Sequence, residues 1–530
     1  MSDKQQWGSR IGVILAVSGS AVGLGNFLRF PGNAAQNGGG AFMIPYFIAL
    51  LLLGIPIGWA EWSMGRYGGR KGFHSAPAIL GVFGKGSVAR YLGLVGVLIP
   101  LMVSFYYVLV ESWCLQYFWT YLRGGLGIDT GQEIASQVGR SGEVFTQITG
   151  SDSDGVTTPD GGLHNSFIFW AITFALNGFF VFRGLSKGIE AFCKWAMPLM
   201  VVCGVAILVR VLTLGTPDPT NPDQSVMSGL AFMWNPDMDA LLNPETWLAA
   251  SGQIFFSLSV GFGVIINYAS YMRRKDDVVL SGLTASATNE FFEVALGGMI
   301  TIPAAVAFLG VGLTADASGS SFDLGFKTLP VVFAHMPGGN IFGAVFFLML
   351  FLAAVTSSLS MLFPSMAFVE EALGLSRRAS TAAIVGVSLL GSLFVAWFSN
   401  GLGALDTIDF WVGTVLIFIL AGVQIVCFGW VFGVDRGIAE AHEGAQLRIP
   451  SIYRFIIKFV SPLFLLIVFI GFCMKSLPDR LKTIGDNPTG LKTLGLIATV
   501  IIGLAVLVNV GTRRWRAQGL DVDGEREPES

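Results

Sequence analysis

Apolar segments about as long as a bilayer is thick recur from one end of this chain to the other. Polar loops separate them. The pattern predicts an all-α polytopic membrane protein in which residues 1–530 form one transmembrane domain. A helix that crosses a bilayer needs roughly 20 apolar residues. By that length we expect about twelve spans, near residues 10–37, 41–65, 90–122, 166–183, 192–213, 246–270, 278–313, 340–370, 380–398, 405–432, 453–475 and 491–511.

Small residues interrupt the first apolar segment between residues 19 and 26. Irregular backbone within a bilayer is tolerated only where it faces protein, water or a ligand. The sequence Val22–Gly25 has a counterpart, Val260–Gly263, in the sixth segment. Interrupted helices at matching places in two halves indicate a transporter binding site; the alternative is that small residues only allow close helix packing. We therefore predict two inverted five-helix repeats, about 10–213 and 242–432, with breaks in helices 1 and 6 and two additional helices within about 453–511.

The composition agrees with a membrane protein, because only 13% of the residues are charged, against about 25% in soluble domains. The four histidines lie in loops or near segment ends, and no phosphate-binding Gly-rich motif is present. We therefore expect no enzyme activity, no ATP drive, no organic cofactor and no nucleic-acid partner.

The charge of the loops alternates along the chain. Basic residues such as Arg66, Arg70 and Lys71 follow the second span, and acidic residues such as Asp152 and Asp154 follow the third. The positive-inside rule places the basic loops and both termini in the cytoplasm. The only Asn-x-Thr sequence contains proline, which favours a bacterial inner (plasma) membrane. We expect residues 124–163 to form a solvated external loop and the polar tail, about 517–530, to be disordered.

The break in the first span can bind both signs of charge, because helix ends leave amides and carbonyls unpaired. The amides of Leu24 and Gly25 would face a carboxylate. Gly23 lies where an aspartate could pair with a substrate amine, so the ligand must bring its own carboxylate, which favours an amino acid over a simple amine. The oxygens available to Na⁺ or an ammonium are the carbonyls of Gly19, Ala21 and Val22 and the side chain of Asn26.

Other polar residues lie within apolar spans. Thr356 and Ser357 could bind Na⁺ through hydroxyl oxygens, although such residues also join packed helices. Asn289, Glu290 and Glu293 lie in the seventh segment, and carboxylates inside a membrane are costly enough to suggest a function.

These motifs together resemble the neurotransmitter:sodium symporter family, and most closely its bacterial leucine-transporter branch. The resemblance covers the chain from Trp7 to the last span. The matching residues are Trp7, 21–31, 37–42, 252–263, 281–284, 356–358 and 409–411.

The resemblance implies two sodium sites. The first would consist of the Ala21 carbonyl, Asn26, Ser257, Asn289 and the substrate carboxylate. The second would consist of the carbonyls of Gly19, Val22 and Ala353 and the hydroxyls of Thr356 and Ser357.

The resemblance also implies a substrate pocket and two gates. Arg29 and Asp409 would close the outer gate, and Lys4, Trp7 and Glu371 the inner one. The pocket residues would be Ala21, Leu24, Gly25, Val103, Tyr107, Phe256, Ser257, Ser259, Phe262, Ser357 and Met361.

The expected function is sodium-coupled import of a small or medium apolar amino acid by alternating access. Chloride independence is expected, because Glu293 matches the acidic residue of chloride-independent members and could also carry a proton. The alternatives are a proton-coupled amino acid transporter and a non-transporting amino acid sensor. Expected partners are the amino acid, the lipid bilayer and a second copy of the chain in a homodimer. Ser20 and Met361 depart from the family pattern at the pocket.

Overall fold

The computed structural model describes residues 7, 10–158, 162–316, 322–485 and 487–525, so the predicted gate residue Lys4 lies outside the described residues. Regular structure within these ranges is helical. The β-type pairing there consists of two isolated bridges, Gly39 with Pro236 and Thr157 with Leu163. The prediction of an all-α protein is therefore confirmed.

Among the described residues, nine helices are long and apolar enough to cross a membrane, and a bent pair supplies a tenth span. The helix over Asn165–Leu212 contains two spans, because Gly184 turns the backbone with a φ of 81°. The sixth span, residues 244–269, is also interrupted, and with it the spans among the described residues number twelve. The spans are α1a (Arg10–Ala21), α1b (Gly25–Gln36), α2 (Gly40–Arg70), α3 (Ser87–Leu122), α4 (Asn165–Gly184), α5 (Ala191–Leu212), α6a (Pro244–Leu258), α6b (Val264–Ala269), α7 (Val278–Thr314), α8 (Gly339–Leu373), α9 (Arg377–Trp397), α10 (Asn400–Val431), α11 (Ile452–Lys482) and α12 (Pro488–Ala517).

Both predicted breaks are present, at the first and sixth spans. The axes of α1a and α1b differ by 48°. Between α6a and α6b the backbone turns left-handed at Gly261 (φ 72°) and Gly263 (φ 91°), a conformation that glycine adopts without a steric penalty. A Cβ at Gly263 would lie 2.0 Å from the carbonyl oxygen of Gly96 on α3. The second break therefore requires glycine for both conformation and close packing.

Burial separates an inner set of spans from a peripheral one. In the most apolar stretch of α3, 94% of the residues are buried, against 22% in α11 and in α12. Helix α8 packs along α3 and also contacts α1a and α5. The breaks thus lie in the interior of the bundle, and the two additional helices present apolar side chains such as Leu466 and Ile467 outward, where lipid would cover them.

The external loop after α3 is more ordered than the sequence suggested. It contains a helix, Ile134–Thr149, whose Phe145 and Ile148 are buried. The Phe145 ring lies 5.5 Å from that of Phe326, in the loop between α7 and α8. The prediction was of a solvated excursion without this helix, which forms because apolar positions one turn apart give it a face to bury.

The prediction of a disordered C-terminal tail was wrong for residues 519–525. Val522 is buried, Asp521 pairs with Lys71 at 2.6 Å, and Asp523 pairs with Arg90 at 2.5 Å. The acidic residues of the tail complement the basic end of α2 and the start of α3. The polar composition of the tail indicated that water would surround it, but the basic residues Lys71 and Arg90 bind its acidic residues.

Candidate functional site

A small cavity lies at the α1 break, between α1, α3, α6 and α8. All the predicted pocket residues line it except Leu24, whose side chain faces a larger cavity outside. The structure also adds Ser20, Gly23 and Asn26 to the lining. The predicted residues it brings together are Ala21, Gly25, Val103, Tyr107, Phe256, Ser257, Ser259, Phe262, Ser357 and Met361.

The polar side of the cavity joins three helices. The amide of Leu24 donates a hydrogen bond to the Tyr107 hydroxyl at 3.2 Å. The Ser259 hydroxyl donates to the Ser20 carbonyl at 3.4 Å, across the two breaks. The Leu24 amide, just before α1b, and the Ser20 carbonyl, at the end of α1a, are therefore bonded to residues that line the same small space. This arrangement fits a ligand that carries both a negative and a positive group.

Three of the residues predicted for the first sodium site form one buried cluster. The Asn26 amide group donates to Asn289 Oδ1 at 2.8 Å, and the Asn289 amide group donates to the Ser257 hydroxyl at 2.7 Å. Asn26 Oδ1 accepts the Gly23 amide at 2.8 Å and keeps its second lone pair free. Neutral amide and hydroxyl oxygens are ligands that suit a hard monovalent cation. Asn26, Ser257 and Asn289 therefore fit sodium.

Glu293 lies against this cluster and is fully buried. Its carboxylate accepts from the Ser257 hydroxyl, from Asn289 Nδ2 at 3.0 Å and from Gln253 Nε2 at 2.6 Å. The sequence analysis did not select Gln253. Its position one turn before Ser257 on α6a is the signal that could have identified it.

The second predicted sodium site contains more oxygen atoms that can accept hydrogen bonds than hydrogens that can be donated to them. The Ser357 hydroxyl lies 3.1–3.4 Å from four carbonyl oxygens, although it has only one hydrogen to donate. The Thr356 hydroxyl donates to the Ala353 carbonyl at 3.0 Å. Oxygen atoms that outnumber the available hydrogens at one buried point are the ligands that a cation requires. The four carbonyls belong to Gly19, Ser20, Val22 and Ala353.

A model described as the sodium:neurotransmitter symporter family matches residues 4–214 and 164–513 of this chain. The chain belongs to the sodium:neurotransmitter symporter family. It is therefore a membrane transporter rather than an enzyme, and the family that the motifs indicated is confirmed.

Relatives of this symporter match along nearly its whole length. An uncharacterized sodium-dependent transporter of Methanocaldococcus jannaschii is 30% identical, over 96% of this chain and 97% of the relative. The sodium-dependent nutrient amino acid transporter 1 of Drosophila melanogaster is 28% identical, over 88% of this chain and 77% of the relative. The crystal structure of MhsT in complex with L-phenylalanine has a TM-score of 0.73 and 29% identity, and the match covers 88% of this chain and 99% of that one.

The symporter has a second cavity of about 400 Å³ that adjoins the small pocket, and we call it the outer cavity after the predicted orientation. Arg29 and Asp409 both line it, but the contacts of the described residues include no ion pair between them. The Arg29 guanidinium lies 4.4 Å from the centre of the Phe256 ring, and Asp409 accepts from the Tyr106 hydroxyl at 2.8 Å. The two predicted gate residues therefore line one cavity, and Phe256 and Tyr107 line both this cavity and the small pocket.

The opposite side of the pocket is packed closed in this symporter. Trp7 Nε1 donates to the Tyr268 carbonyl at 3.1 Å, with the two rings 5.1 Å apart. Glu371 accepts from the His74 amide and the Ser75 hydroxyl, in the segment that follows α2. Two of the three predicted inner-gate residues thus lie at this closure.

Proposed function

We propose that this symporter couples sodium entry to the import of a small or medium apolar amino acid by alternating access. One observation carries the proposal: the α1 break presents amides on one side and a surplus of carbonyl oxygens on the other. The Leu24 amide with the Tyr107 hydroxyl suits a carboxylate, and the oxygens around Ser357 suit sodium. A zwitterionic substrate and its co-transported cation can therefore bind side by side.

The substrate carboxylate would bind to the Leu24 and Gly25 amides and the Tyr107 hydroxyl. Its ammonium would bind to the Ser259 hydroxyl and to carbonyls near Ala21, Phe256 and Ser257. Val103, Phe262 and Met361 line the remaining space and carry no charge, which supports an apolar side chain. The relative MhsT, crystallised with L-phenylalanine, is consistent with this class of substrate.

Two sodium ions would provide the driving force. The carboxylate of the substrate would complete the first site, beside Asn26 and Asn289, so each ligand would tighten the binding of the other. An ion gains about 2.3 kcal/mol from a potential of 100 mV and about 1.4 kcal/mol from a tenfold gradient. Two ions would give roughly 7 kcal/mol, which corresponds to about 10⁵-fold accumulation.

Glu293 would supply a fixed negative charge next to the first sodium site, where a chloride-dependent member needs an anion. The donors around its carboxylate, Gln253 and Asn289, support this role. We therefore infer that transport does not depend on chloride. Once sodium has left, Glu293 would carry a proton in the return step of the cycle.

We place the symporter in the inner membrane of a bacterium, with both termini in the cytoplasm. The basic ends of α2 and α12 support this orientation. The closed side at Trp7 and Tyr268 would then face the cytoplasm, and the 400 Å³ cavity would face outward. Arg29 and Asp409 would approach each other when the outer side closes.

Uptake into proteoliposomes tests the proposal. A panel of labelled amino acids is presented with an inward sodium gradient, with choline in place of sodium, and with gluconate in place of chloride. We expect accumulation of apolar amino acids that requires sodium and is indifferent to chloride. Accumulation driven equally by a proton gradient in choline would favour a proton-coupled transporter, and binding without accumulation would favour a sensor.

The first sodium site has its own test. Asn26→Ala is expected to weaken sodium-dependent binding of the substrate at least tenfold, because it removes a neutral oxygen ligand. Asn33→Ala is the matched control. The Asn33 amide group lies outside the cluster and donates to Gln253 Oε1 at 3.0 Å, whereas Gln253 contacts Glu293 through its Nε2. Equal sodium affinity in the two variants would refute the assignment.

A further inference from the structure

A second buried carboxyl group, Glu111, lies in the middle of α3 and takes no part in the proposed sodium or substrate sites. It is fully buried, and the described contacts give it no ion-pair partner. Its neighbours are Asn177 on α4 and Ser358 on α8, which are also buried. Tyr107 and Cys114 are the titratable groups near it on its own helix. An isolated charge at this depth is costly.

The hydrogen bonds around Glu111 form a ring. Asn177 Nδ2 lies 3.0 Å from each oxygen of the Glu111 carboxyl. The Ser358 hydroxyl oxygen lies 2.8 Å from Glu111 Oε2 and 2.7 Å from Asn177 Oδ1. Both of these oxygen–oxygen contacts are hydrogen-bond lengths, and each needs a hydrogen between the two atoms.

Counting hydrogens shows that the ring lacks one if Glu111 is ionised. Ser358 has a single hydroxyl hydrogen, and the Val355 carbonyl at 3.1 Å is a third acceptor within its reach, so that hydrogen serves at most one of Glu111 and Asn177 Oδ1. A proton on Glu111 Oε2 supplies the missing hydrogen: Glu111 donates to Ser358, Ser358 donates to Asn177 Oδ1, and Asn177 donates to Glu111 Oε1. Exchanging the amide atoms of Asn177 does not help, because its oxygen would then lie 3.0 Å from both carboxyl oxygens.

The ring connects the two halves of the proposed binding site. Ser358 directly follows Thr356 and Ser357, the hydroxyls of the second sodium site, on α8. Glu111 lies one helical turn after Tyr107, the proposed carboxylate ligand, on α3. The ring therefore fixes the sodium-binding turn of α8 relative to the substrate-binding turn of α3.

We propose that Glu111 is a protonated positioning residue whose closed ring with Asn177 and Ser358 couples the second sodium site to the substrate site. The coupling rests on the proposed function, whereas the protonation rests on the ring alone. Glu111→Gln reproduces the donor and acceptor pattern of the protonated acid, since its amide group can donate to Ser358 and its oxygen can accept from Asn177. Glu111→Ala opens the ring.

The test combines binding and spectroscopy on the purified full-length protein. The substrate Kd is measured at low and at saturating sodium, and the ratio of the two values gives the coupling. We expect Glu111→Gln to retain the wild-type ratio within about twofold, and Glu111→Ala and Ser358→Ala to reduce it at least about tenfold. Ser388→Ala is the matched control, because this buried hydroxyl contacts α3 through Ser104 at 3.3 Å and lies outside the ring.

Infrared difference spectra decide the protonation independently. The wild-type minus Glu111→Gln spectrum at neutral pH is expected to contain the carbonyl band of a protonated carboxylic acid, shifted in D₂O. A carboxylate band in its place would overturn the proposal. So would a Glu111→Gln variant that loses coupling as severely as Glu111→Ala. If the wild type shows no sodium-dependent binding, the proposed function fails while the infrared result still decides the state of Glu111.

Discussion

The amide of Leu24 donates to the hydroxyl of Tyr107 at 3.2 Å, which joins the start of α1b to the middle of α3. Both groups face the space proposed for the substrate carboxylate. We expect Tyr107→Phe to raise the substrate Kd about 10- to 100-fold, because a hydrogen bond to a charged group contributes about 1.5–3 kcal/mol. Equilibrium binding of a labelled amino acid at saturating sodium measures the change.

The preceding tyrosine provides the control for this variant. Tyr106 lies on the same helix, but its hydroxyl donates to Asp409 in the outer cavity. We expect Tyr106→Phe to change the substrate Kd less than Tyr107→Phe. If the two variants bind equally weakly, the hydroxyl of Tyr107 has no special role in carboxylate binding.

In this chain, a side chain added at Gly23 is predicted to disturb the proposed binding site. A Cβ at this position would lie 2.6 Å from the Tyr107 hydroxyl and 2.8 Å from the Ser357 hydroxyl. Gly23→Ala would therefore displace groups of the proposed substrate and sodium sites together, and we expect substrate binding to be lost. Gly58→Ala is the control, because the nearest atom to its Cβ is 3.9 Å away. Retained binding in Gly23→Ala, measured by the same assay, would contradict the proposed geometry.

Removing Glu440 is predicted to destabilise the fold around the end of α2. Burial raises the pKa of the Glu440 carboxyl, and the adjacent Arg66, which is fully buried, opposes that shift. Glu440→Ala would leave the Arg66 guanidinium without its carboxylate at 3.1 Å. Loss of one partner from a buried ion pair costs about 3–5 kcal/mol, so we expect a clear fall in thermal unfolding temperature in detergent.

Arg274→Ala is the matched control for the buried pair. Its side chain is 49% exposed and pairs with Glu443 at 3.2 Å. Exposed ion pairs contribute about 0–1 kcal/mol. A fall as large as that of Glu440→Ala would show that burial does not distinguish the two pairs.

The docked tail makes a separate prediction about stability. Asp523→Ala removes the carboxylate that pairs with Arg90, and the Arg90 side chain is only 2% exposed. A buried donor that loses its partner costs about 1–3 kcal/mol, and thermal unfolding should occur at a lower temperature. Glu143→Ala, at an exposed ion pair with Arg140, should leave the unfolding temperature unchanged. Equal stability of Asp523→Ala and the wild type would mean that the tail is not docked in solution.

Several features could be predicted because each depends on a short stretch of the sequence. A bilayer-length apolar run predicts a span regardless of its neighbours, and glycines in the first and sixth spans predict breaks that glycine conformation then permits. The outer gate shows the limit of such reasoning. Resemblance suggested a pairing of Arg29 with Asp409, but that pairing depends on how far apart α1b and α10 lie, which no local pattern encodes.

The sequence by itself determined the helical membrane architecture and the two breaks, because hydropathy and backbone freedom act over a few neighbouring residues. Most residues of the small pocket came from the resemblance of its motifs to the family. Only the tertiary structure decided which polar groups meet. Glu111, Asn177 and Ser358 are separated by 66 to 247 positions along the chain, and the acidic tail reaches Lys71 across 450 positions. Such contacts arise from the packing of whole helices, and buried polar groups reveal their roles only when their partners are known.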